Sequence, residues 1–395
     1  MSNSSFQHFV SLLLSHAQQQ PQQVAIRQKQ FGLWHTWSWH DVLEISEHYA
    51  NALHGYGFKK NQSILLLSQL NIDVIAISLA VQALGGKVQF VDTDLDTLTS
   101  EQILQYFQQL RPEYAVVEHL EQLSPLQHFE DLPLYIFYLQ QNHLTPPEYE
   151  HIVSSHQLLA KNQDQGQIKF ENLLFEKQQI AFGFERFRES EHLQVSYRHQ
   201  ELIAQAQQIA QLYQLDSLEQ ACVASAFGNV QQMRYVWSVW LYVGFTLNLP
   251  ETLETLDQDQ QVIAPTVLFG TQFDYEQLYH LILQRLPSER SIYSRIFQRI
   301  FNTQDQGQAL SWSEKWVLGC FRQVILEEFG LSYLKTAVVI GDPVSDAAQA
   351  FYAALRINLC FWESDPVWHS RSNLAERLMP IDPEPVKIDG LGAIS

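Results

Sequence analysis

Residues 63–91 read SILLLSQLNIDVIAISLAVQALGGKVQFV, and this stretch decides the fold. Ile64–Leu67 and Val88–Val91 are apolar runs of strand length, whereas Val74–Leu84 is long enough for a helix and is followed by two glycines. Strands of this kind need both of their faces covered, and a helix between them provides part of that cover. The stretch therefore predicts two parallel strands connected by a helix.

The same alternation of strands and helices continues on both sides of this stretch. Ser38 and Asp41 have the spacing of a helix capping box, so we predict that a helix begins at Ser38. Further strands are predicted at 24–27, 114–117, 180–184, 222–226, 245–249, 266–269, 336–340 and 359–362, and further helices before Pro21 and at 102–110, 200–213, 230–243, 275–285, 291–301, 313–329 and 345–355. The predicted class is α/β, with parallel sheets covered by helices.

Two packed α/β lobes are the predicted organisation. Residues 144–167 contain Pro146 and Pro147 and have little periodicity, as is typical of a connection between lobes. We therefore assign residues 1–150 to a first α/β lobe and residues 151–365 to a second, followed by an irregular tail at 366–395.

The charge of the chain excludes several classes of partner. Its 395 residues include 43 Asp and Glu but only 24 Lys and Arg, a formal net charge of -19. Such a surface repels nucleic-acid phosphates and anionic lipid headgroups, so we expect neither nucleic-acid binding nor attachment to a membrane through basic residues.

Cysteine content and hydropathy indicate a cytoplasmic protein. The three cysteines, Cys222, Cys320 and Cys360, are far apart in the sequence, which favours neither a disulfide framework nor a zinc site made of thiolates. Polar residues interrupt the apolar stretch 63–86, and the stretch 235–250 is too short to cross a bilayer comfortably. We expect no membrane span, and the N-terminus lacks the basic residues of a secretory signal.

Several segments together resemble one enzyme family. They are Phe6–Arg27, Gly32–Trp34, Ala52–Gly57, Ala80–Gly86, Arg111–Val117, Ala264–Gly270, Tyr275–Tyr279, Phe329–Leu331, Val339–Ser345 and Phe351–Asn358. In order and spacing they resemble the adenylation domain of AMP-forming acyl-CoA synthetases, especially the long-chain fatty acid type, within the adenylate-forming superfamily. The resemblance implies the fold of that family's large N-terminal domain, without the small C-terminal domain that carries a catalytic lysine. Val386–Gly390 is similar to a segment of the family's β-rich subdomain, so the tail is interpreted as a remnant of it.

The resemblance also implies where ATP would bind. The family holds the ATP phosphates with a loop rich in Ser, Thr and Gly, which should lie between Ile180 and Leu202. Residues 181–192 read AFGFERFRESEH instead, with one glycine and three glutamates. Arg186 and Arg188 could attract a phosphate, but their alternation with Phe and Glu is more typical of a solvated face or of a strand held by salt bridges.

Two other elements of the family are also not recognisable. In the family, a Tyr-Gly-x-Thr-Glu element helps to hold magnesium with its Glu and flanks the adenine with its aromatic ring. This element should follow Leu359, where the chain reads CFWESD instead. Glu363 is the one candidate there for cofactor binding. Lys387 does not replace the catalytic lysine. We therefore predict no catalytic residue and no cofactor, with ATP and magnesium as the cofactors if the chain is an active ligase after all.

Four residues are predicted to contact an acyl substrate. Trp237 and Trp240 could line an acyl tunnel, although a helix buried between sheets would also explain them. Gly341 and Pro343 lie in the segment that resembles the family's acyl-pocket element.

No metal site is predicted from the spacing of the potential ligands. His151 and His156 near Glu148 and Glu150 are interpreted as surface residues, and Asp92, Asp94 and Asp96 as a polar loop.

The resulting hypothesis is a degenerate, non-catalytic relative of acyl-CoA synthetases that binds an acyl ligand or a protein partner. The alternative is a divergent fatty acid–CoA ligase, or another enzyme that adenylates carboxylates, completed by a C-terminal domain on a separate chain. A purely scaffolding role is the third hypothesis. The sequence does not decide between enzyme and non-enzyme.

Overall fold

A computed structural model describes most of the chain. The described residues are 8–92, 99–119, 135–140, 151–160, 168–176, 178–188, 191–223, 230, 233–251, 255–285, 322–362 and 366–370. The predicted helix at 291–301 and the first part of the one at 313–329 lie outside them.

The helices and strands alternate along the chain as the sequence predicts. The helices are α1 Phe9–Gln19, α2 Trp39–Gly55, α3 Ile72–Ala83, α4 Ser100–Leu110, α5 Ser155–Ala160, α6 His199–Tyr213, α7 Ser238–Val243, α8 Leu256–Ile263, α9 Gln272–Arg285 and α10 Asp346–Ala354. The strands are β1 Val24–Gln30, β2 Leu33–Ser38, β3 Ser63–Leu67, β4 Lys87–Val91, β5 Tyr114–His119, β6 Tyr135–Gln140, β7 Ile152–Ser154, β8 Ile180–Arg188, β9 Glu191–Arg198, β10 Gln220–Val223, β11 Thr246–Leu249, β12 Val267–Thr271, β13 Thr336–Ile340, β14 Leu359–Trp362 and β15 His369–Ser370. Residues 322–328 are also helical. Phe170–Asn172 form a 3-10 turn, and Met233–Trp237 form a π-helical turn that leads into α7.

The described strands form two sheets. The first has the order β14-β13-β12-β10-β11-β1-β2, and the second has the order β15-β9-β8-β4-β3-β5-β6-β7. Neighbours are parallel except for β1 with β2, β8 with β9 and β9 with β15, which are antiparallel. The predicted α/β class, with two sheets packed by helices, is confirmed.

Each sheet takes strands from both halves of the chain. β1 and β2 lie at residues 24–38 but complete the first sheet beside β11, whereas β8 and β9 extend the second sheet beside β4. The strand β15 follows β14 of the first sheet in sequence and pairs with β9 of the second. The division of the chain at residue 150 stays a prediction, and the sheets interleave across it.

The helix α3 joins the two sheets through the core. All of its residues except Asp73 are buried, as expected of a helix that is apolar on all sides. Its first backbone N–H, at Ile72, donates to the Gln28 side chain on β1, and the Gln82 amide donates to the carbonyl of Ala181 on β8. The main hydrophobic cluster accordingly includes residues of both sheets.

The predicted capping box is confirmed at the start of α2. The Ser38 hydroxyl oxygen accepts the Asp41 backbone N–H at 3.2 Å, and the Asp41 carboxylate accepts the Ser38 backbone N–H at 2.8 Å. The box begins the helix directly at the end of β2, so the chain turns from the edge of the first sheet into the helical layer.

Candidate functional site

The hairpin of β8 and β9 occupies the segment where the resemblance places the phosphate loop. The two strands pair along their whole length up to Arg188 and Glu191, which are separated by only two residues. A side chain at Gly183 would bring its Cβ to 3.3 Å from the Lys87 side chain. The one glycine between residues 180 and 202 therefore gives room to a lysine on the neighbouring strand β4.

The guanidinium of Arg186 on this hairpin is already engaged. Its Nε donates to Asp92 Oδ2 at 2.8 Å, and its Nη2 donates to the same oxygen. The other Asp92 oxygen accepts the backbone N–H of Val230 at 3.2 Å, and the ring of Trp368 lies 4.2 Å from the Arg186 Cζ. One carboxylate balances the arginine charge and an indole covers its plane, which leaves little attraction for a further anion.

A buried carboxylate lies beside Arg186. The Glu185 side chain is 4% exposed, and its two oxygens accept hydrogen bonds from His192 Nε2, at 2.6 Å, and from the Gln89 amide. The His192 ring also stacks on Phe187 at 4.3 Å between centroids. The charged groups described around Arg186 thus combine carboxylates with an arginine that is already paired, and they do not fit a magnesium-bound triphosphate, which needs available N–H donors and cations.

Aromatic rings connect the hairpin to the carboxyl edge of the first sheet. The Arg234 guanidinium, in the π-helical turn, lies over the ring of Tyr197 on β9 at 4.8 Å and over Tyr235 at 5.3 Å. Tyr235 contacts Trp362, the last residue of β14, at 5.0 Å between centroids. Burial raises the pKa of Tyr197 to about 12, although Arg234 opposes the shift. Tyr197 is therefore a neutral phenol at physiological pH.

Trp237 and Trp240 are fully buried in the core between the sheets. Trp237 meets Phe182 of β8 edge to face at 5.6 Å, and Trp240 stacks on Trp39 of α2 at 5.0 Å. The Trp240 indole N–H donates to the carbonyl of Ala25 at 3.1 Å. An acyl chain could touch these rings only if neighbouring side chains moved, so their packing is that of core residues.

Gly341 and Pro343 lie at the carboxyl end of β13, where ligands commonly bind in parallel sheets. The Gly341 backbone has a φ of 99° and its N–H donates to the Trp362 carbonyl at 3.3 Å, whereas Pro343 is exposed. Through Trp362 this loop adjoins the aromatic rings described above. The structure therefore brings Gly341 and Pro343 together but separates them from the core position of Trp237 and Trp240.

Several predicted residues cannot be placed. Those outside the described residues are Glu363, Asp94, Asp96, Glu148, Glu150 and Lys387. Within the described part of the chain, no group of three or more His, Cys, Asp or Glu side chains could hold a metal ion. Of the two histidines considered as ligands, His151 is half-buried and His156 is exposed.

The sequence indicated the environment of Arg186 but not the contacts of the residues around it. The interpretation of Arg186 as part of a strand held by salt bridges is confirmed by its pairing with Asp92. The pairing of Glu185 with His192 and the stacking of Trp368 on Arg186 were not predicted. The signal for the first was present, because Glu185 and His192 share a face of the hairpin once its two-residue turn is recognised.

A comparison with protein families supports the resemblance over part of the chain. Residues 13–170 match the sequence profile of the family described as AMP-binding enzyme. No curated protein sequence matches the chain significantly. No helix among the described residues is long and apolar enough to cross a membrane.

Solved structures of ligases share the fold. Coronafacic acid ligase from Pectobacterium brasiliense has a TM-score of 0.62 and 13% identity, with 92% of this chain and 63% of the ligase covered. The anthranilate CoA ligase AuaEII, solved with anthranoyl-AMP, has a TM-score of 0.67 and 13% identity, and the match covers 91% of this chain and 60% of AuaEII. A long-chain-fatty-acid-CoA ligase from Archaeoglobus fulgidus has a TM-score of 0.63 and 12% identity, and the match covers 90% of this chain and 63% of that ligase. The chain thus has the fold of the N-terminal domain of adenylate-forming enzymes and spans about three fifths of the length of these ligases.

Proposed function

We propose that this protein is a non-catalytic relative of the AMP-forming acyl-CoA synthetases, and that it binds an acyl ligand without activating it. The observation that carries the proposal is the β8–β9 hairpin, which stands where those enzymes would hold the phosphates of ATP. Adenylation places a triphosphate and a carboxylate in line and stabilises the charge that develops between them. The described residues of the hairpin are paired strands, and the segment has no glycine-rich sequence that would gather backbone N–H groups for that purpose.

The charges of the hairpin support the same proposal. Arg186 already forms an ion pair with Asp92, whose side chain is 8% exposed, and Glu185 is hydrogen-bonded to His192. Breaking the Arg186 pair to receive a phosphate would leave Asp92 as a buried carboxylate without its cation, which is unfavourable. We therefore propose no cofactor for this chain.

The proposed acyl site lies at the carboxyl end of β13. Gly341 and Pro343 border it in our proposal, because a glycine at this position lets a ligand approach the backbone closely and because the loop adjoins the aromatic rings of Trp362 and Tyr235. Trp237 and Trp240 lie in the core and do not line this site in our proposal. A protein partner at the same edge is the other form of the proposal.

A divergent ligase is the second candidate function. The match of residues 13–170 to AMP-binding enzymes favours it, as do the ligases among the structures that share the fold. In this case the cofactors would be ATP and magnesium, and a separate chain could supply the C-terminal domain.

Exchange of pyrophosphate into ATP distinguishes the two candidates, because it reports adenylation and does not need CoA. Purified protein with magnesium and fatty acids of several chain lengths should give no exchange above a control without protein. Exchange that depends on the acid and is lost in Arg186→Gln would overturn the proposal and support the ligase. Arg186→Gln removes a charge from a part-exposed side chain, so a thermal melt of the variant checks that it folds.

Binding of a fluorescent fatty acid tests the other half of the proposal. Pro343→Glu introduces a carboxylate at an exposed position of the proposed site, and we expect at least about tenfold weaker binding from charge repulsion and lost apolar contact. Leu218→Glu makes the same change at a residue that is 78% exposed outside the site and should leave binding unchanged. Equal affinity in both variants would contradict the site, and no binding by the unmodified protein would contradict the acyl ligand.

A further inference from the structure

Trp362 ends the strand β14 at the carboxyl edge of the first sheet, beside the proposed acyl site. It pairs in the sheet with Ile340 of β13, and the loop that contains Gly341 and Pro343 begins directly after Ile340. Trp362 and Ile340 belong to the main hydrophobic cluster, whereas Val339 belongs to a second cluster on the opposite face of the sheet. The indole of Trp362 therefore lies between this loop and the main cluster.

Trp362 is held in place by other aromatic rings. Its indole N–H donates to the hydroxyl of Tyr213 at 2.9 Å. Its ring centroid lies 5.0 Å from that of Tyr235, 5.6 Å from that of Tyr213 and 6.2 Å from that of Phe269. We call these four residues the ring cluster. Because the hydrogen bond and the ring contacts would be lost together, moving the indole aside costs free energy.

The described rings leave no space for a ligand around Trp362. Trp362 and Phe269 are each 1% exposed, and Tyr235 is 0% exposed. A side chain with almost no exposed area has no room for even a water molecule against it, since protein interiors are packed about as densely as organic crystals. Trp237, in the same π-helical turn as Tyr235, is also 0% exposed. An acyl chain that extended past Trp362 into the core would therefore have to displace packed rings.

We infer that Trp362 closes the inner end of the proposed acyl site and limits its ligand to a short acyl chain. The inference rests on the proposed function and adds the class of ligand to it. Carbons of a longer acid that extend beyond the site would stay in solvent, where a methylene contributes little to binding. A buried methylene strengthens binding about fourfold, so affinity should rise with chain length only until the site is filled.

Isothermal titration calorimetry with a series of straight-chain acids, from butanoate to dodecanoate, tests the inference. For the unmodified protein, the affinity should rise about fourfold per methylene among the shortest acids that bind. From octanoate to dodecanoate it should change by less than about twofold in total. A site that continued into the core would instead gain about 200-fold over those four methylenes.

Substitutions of Trp362 should move the point at which the affinity stops rising. Trp362→Leu opens space beside the loop, and we expect it to bind dodecanoate at least about tenfold more tightly than the unmodified protein does. Trp362→Phe leaves a smaller gap and should give a smaller increase, and it replaces Trp362→Leu if a thermal melt shows that the latter does not fold. Trp39→Leu is the matched control, because Trp39 is also fully buried but packs on His16 and Trp240 in another part of the core. It should leave the series unchanged.

Three results would overturn the inference, and they differ in what they say of the proposed function. Affinity that keeps rising about fourfold per methylene through dodecanoate would show that long chains enter the core, and the proposed function would stand. A folded Trp362→Leu variant with the series of the unmodified protein would mean that another residue limits the chain length. If none of the acids bound, the proposed function would fail and the inference with it.

Discussion

Two histidines at the start of α1 and α6 form a buried pair. The rings of His8 and His199 lie 3.6 Å apart between centroids, and each Nδ1 accepts a backbone N–H, from Val10 at 3.2 Å and from Phe9 at 3.3 Å. Burial lowers the pKa of His8 to about 4. Burial, with the proximity of His8, also lowers the pKa of His199 well below its usual value. Both rings are neutral at pH 7, and both accept backbone N–H groups at the start of α1.

This pair should make the protein sensitive to acid. The unfolded chain protonates these histidines near pH 6.5, whereas the folded chain protonates His8 only near pH 4 and His199 only well below pH 6.5. Stability is therefore full above pH 6.5 and falls as the pH drops toward 4. His8→Asn keeps a side-chain acceptor for the N-cap and removes one titrating group. Between pH 6 and pH 4.5 we expect the variant to lose about 1 kcal/mol per pH unit less than the unmodified protein.

Urea unfolding at several pH values measures this difference. His40→Asn removes an exposed histidine and serves as the matched control, which should keep the slope of the unmodified protein. If His8→Asn and His40→Asn gave the same slope, the buried pair would not be the source of the acid sensitivity.

The ion pair of Arg186 shows how much of a residue's environment can be predicted from the sequence around it. The alternation around Arg186 predicts either a solvated face or a strand held by salt bridges, and the local sequence does not choose between them. Its partner Asp92 is 94 positions away in the sequence and adjacent only because β4 and β8 are neighbours in the sheet. That pairing depends on topology, which a local pattern does not contain.

Among the elements, the strands β3, β4 and β13 were predicted from the sequence, whereas β2 and β9 were not. β3, β4 and β13 are apolar runs because helices or other elements cover both faces, so the composition marks them. The strand β2 has exposed residues on both faces, and β9 alternates polar and apolar residues from His192 to Arg198. Such strands are stabilised mainly by backbone hydrogen bonds to a neighbouring strand. Residue composition does not reveal these bonds, so it did not predict the strands.

The turn between β1 and β2 leads to a prediction for this element. Phe31 has a φ of 50° and Gly32 a φ of 77°, as a type I′ turn requires, yet phenylalanine is unfavourable in this backbone region. Asparagine is the preferred first residue of such turns. Phe31→Asn should therefore raise the free energy of unfolding by about 1 kcal/mol, and Phe31→Val should lower it by a similar amount.

Urea unfolding, followed by circular dichroism, measures these changes. The side chain of Phe31 is 95% exposed, so the loss of its contacts within one chain should cost little. A Phe31→Asn variant less stable than the unmodified protein would show that the phenyl ring contributes more to the fold than its exposure indicates.

At the scale of the whole molecule, the class was predictable and the interleaving of the sheets was not. Alternating strands and helices indicated parallel sheets, and the resemblance of ordered segments implied the correct fold. The order of strands along each sheet depends on crossovers such as that from β2 to β3, which carries the chain from the first sheet to the second. Nothing in residues 39–62 alone indicates that the chain changes sheets there, because a helix connects strands of the same sheet equally well.

The interleaving predicts that the first 150 residues do not fold alone. Without the rest of the chain, β1 lacks its neighbour β11 and β4 lacks β8, and the buried side chains of α3 lose partners from both sheets. A fragment of residues 1–150 should therefore unfold without a cooperative transition in urea, whereas the whole chain should show a sigmoidal one by circular dichroism. Mixing this fragment with residues 151–395 should restore cooperativity, because β11 and β8 then become available to it. A sigmoidal transition in the isolated fragment would mean that β3 to β6 with α2 to α4 stabilise one another without either missing strand, and that the chain does fold as two successive lobes.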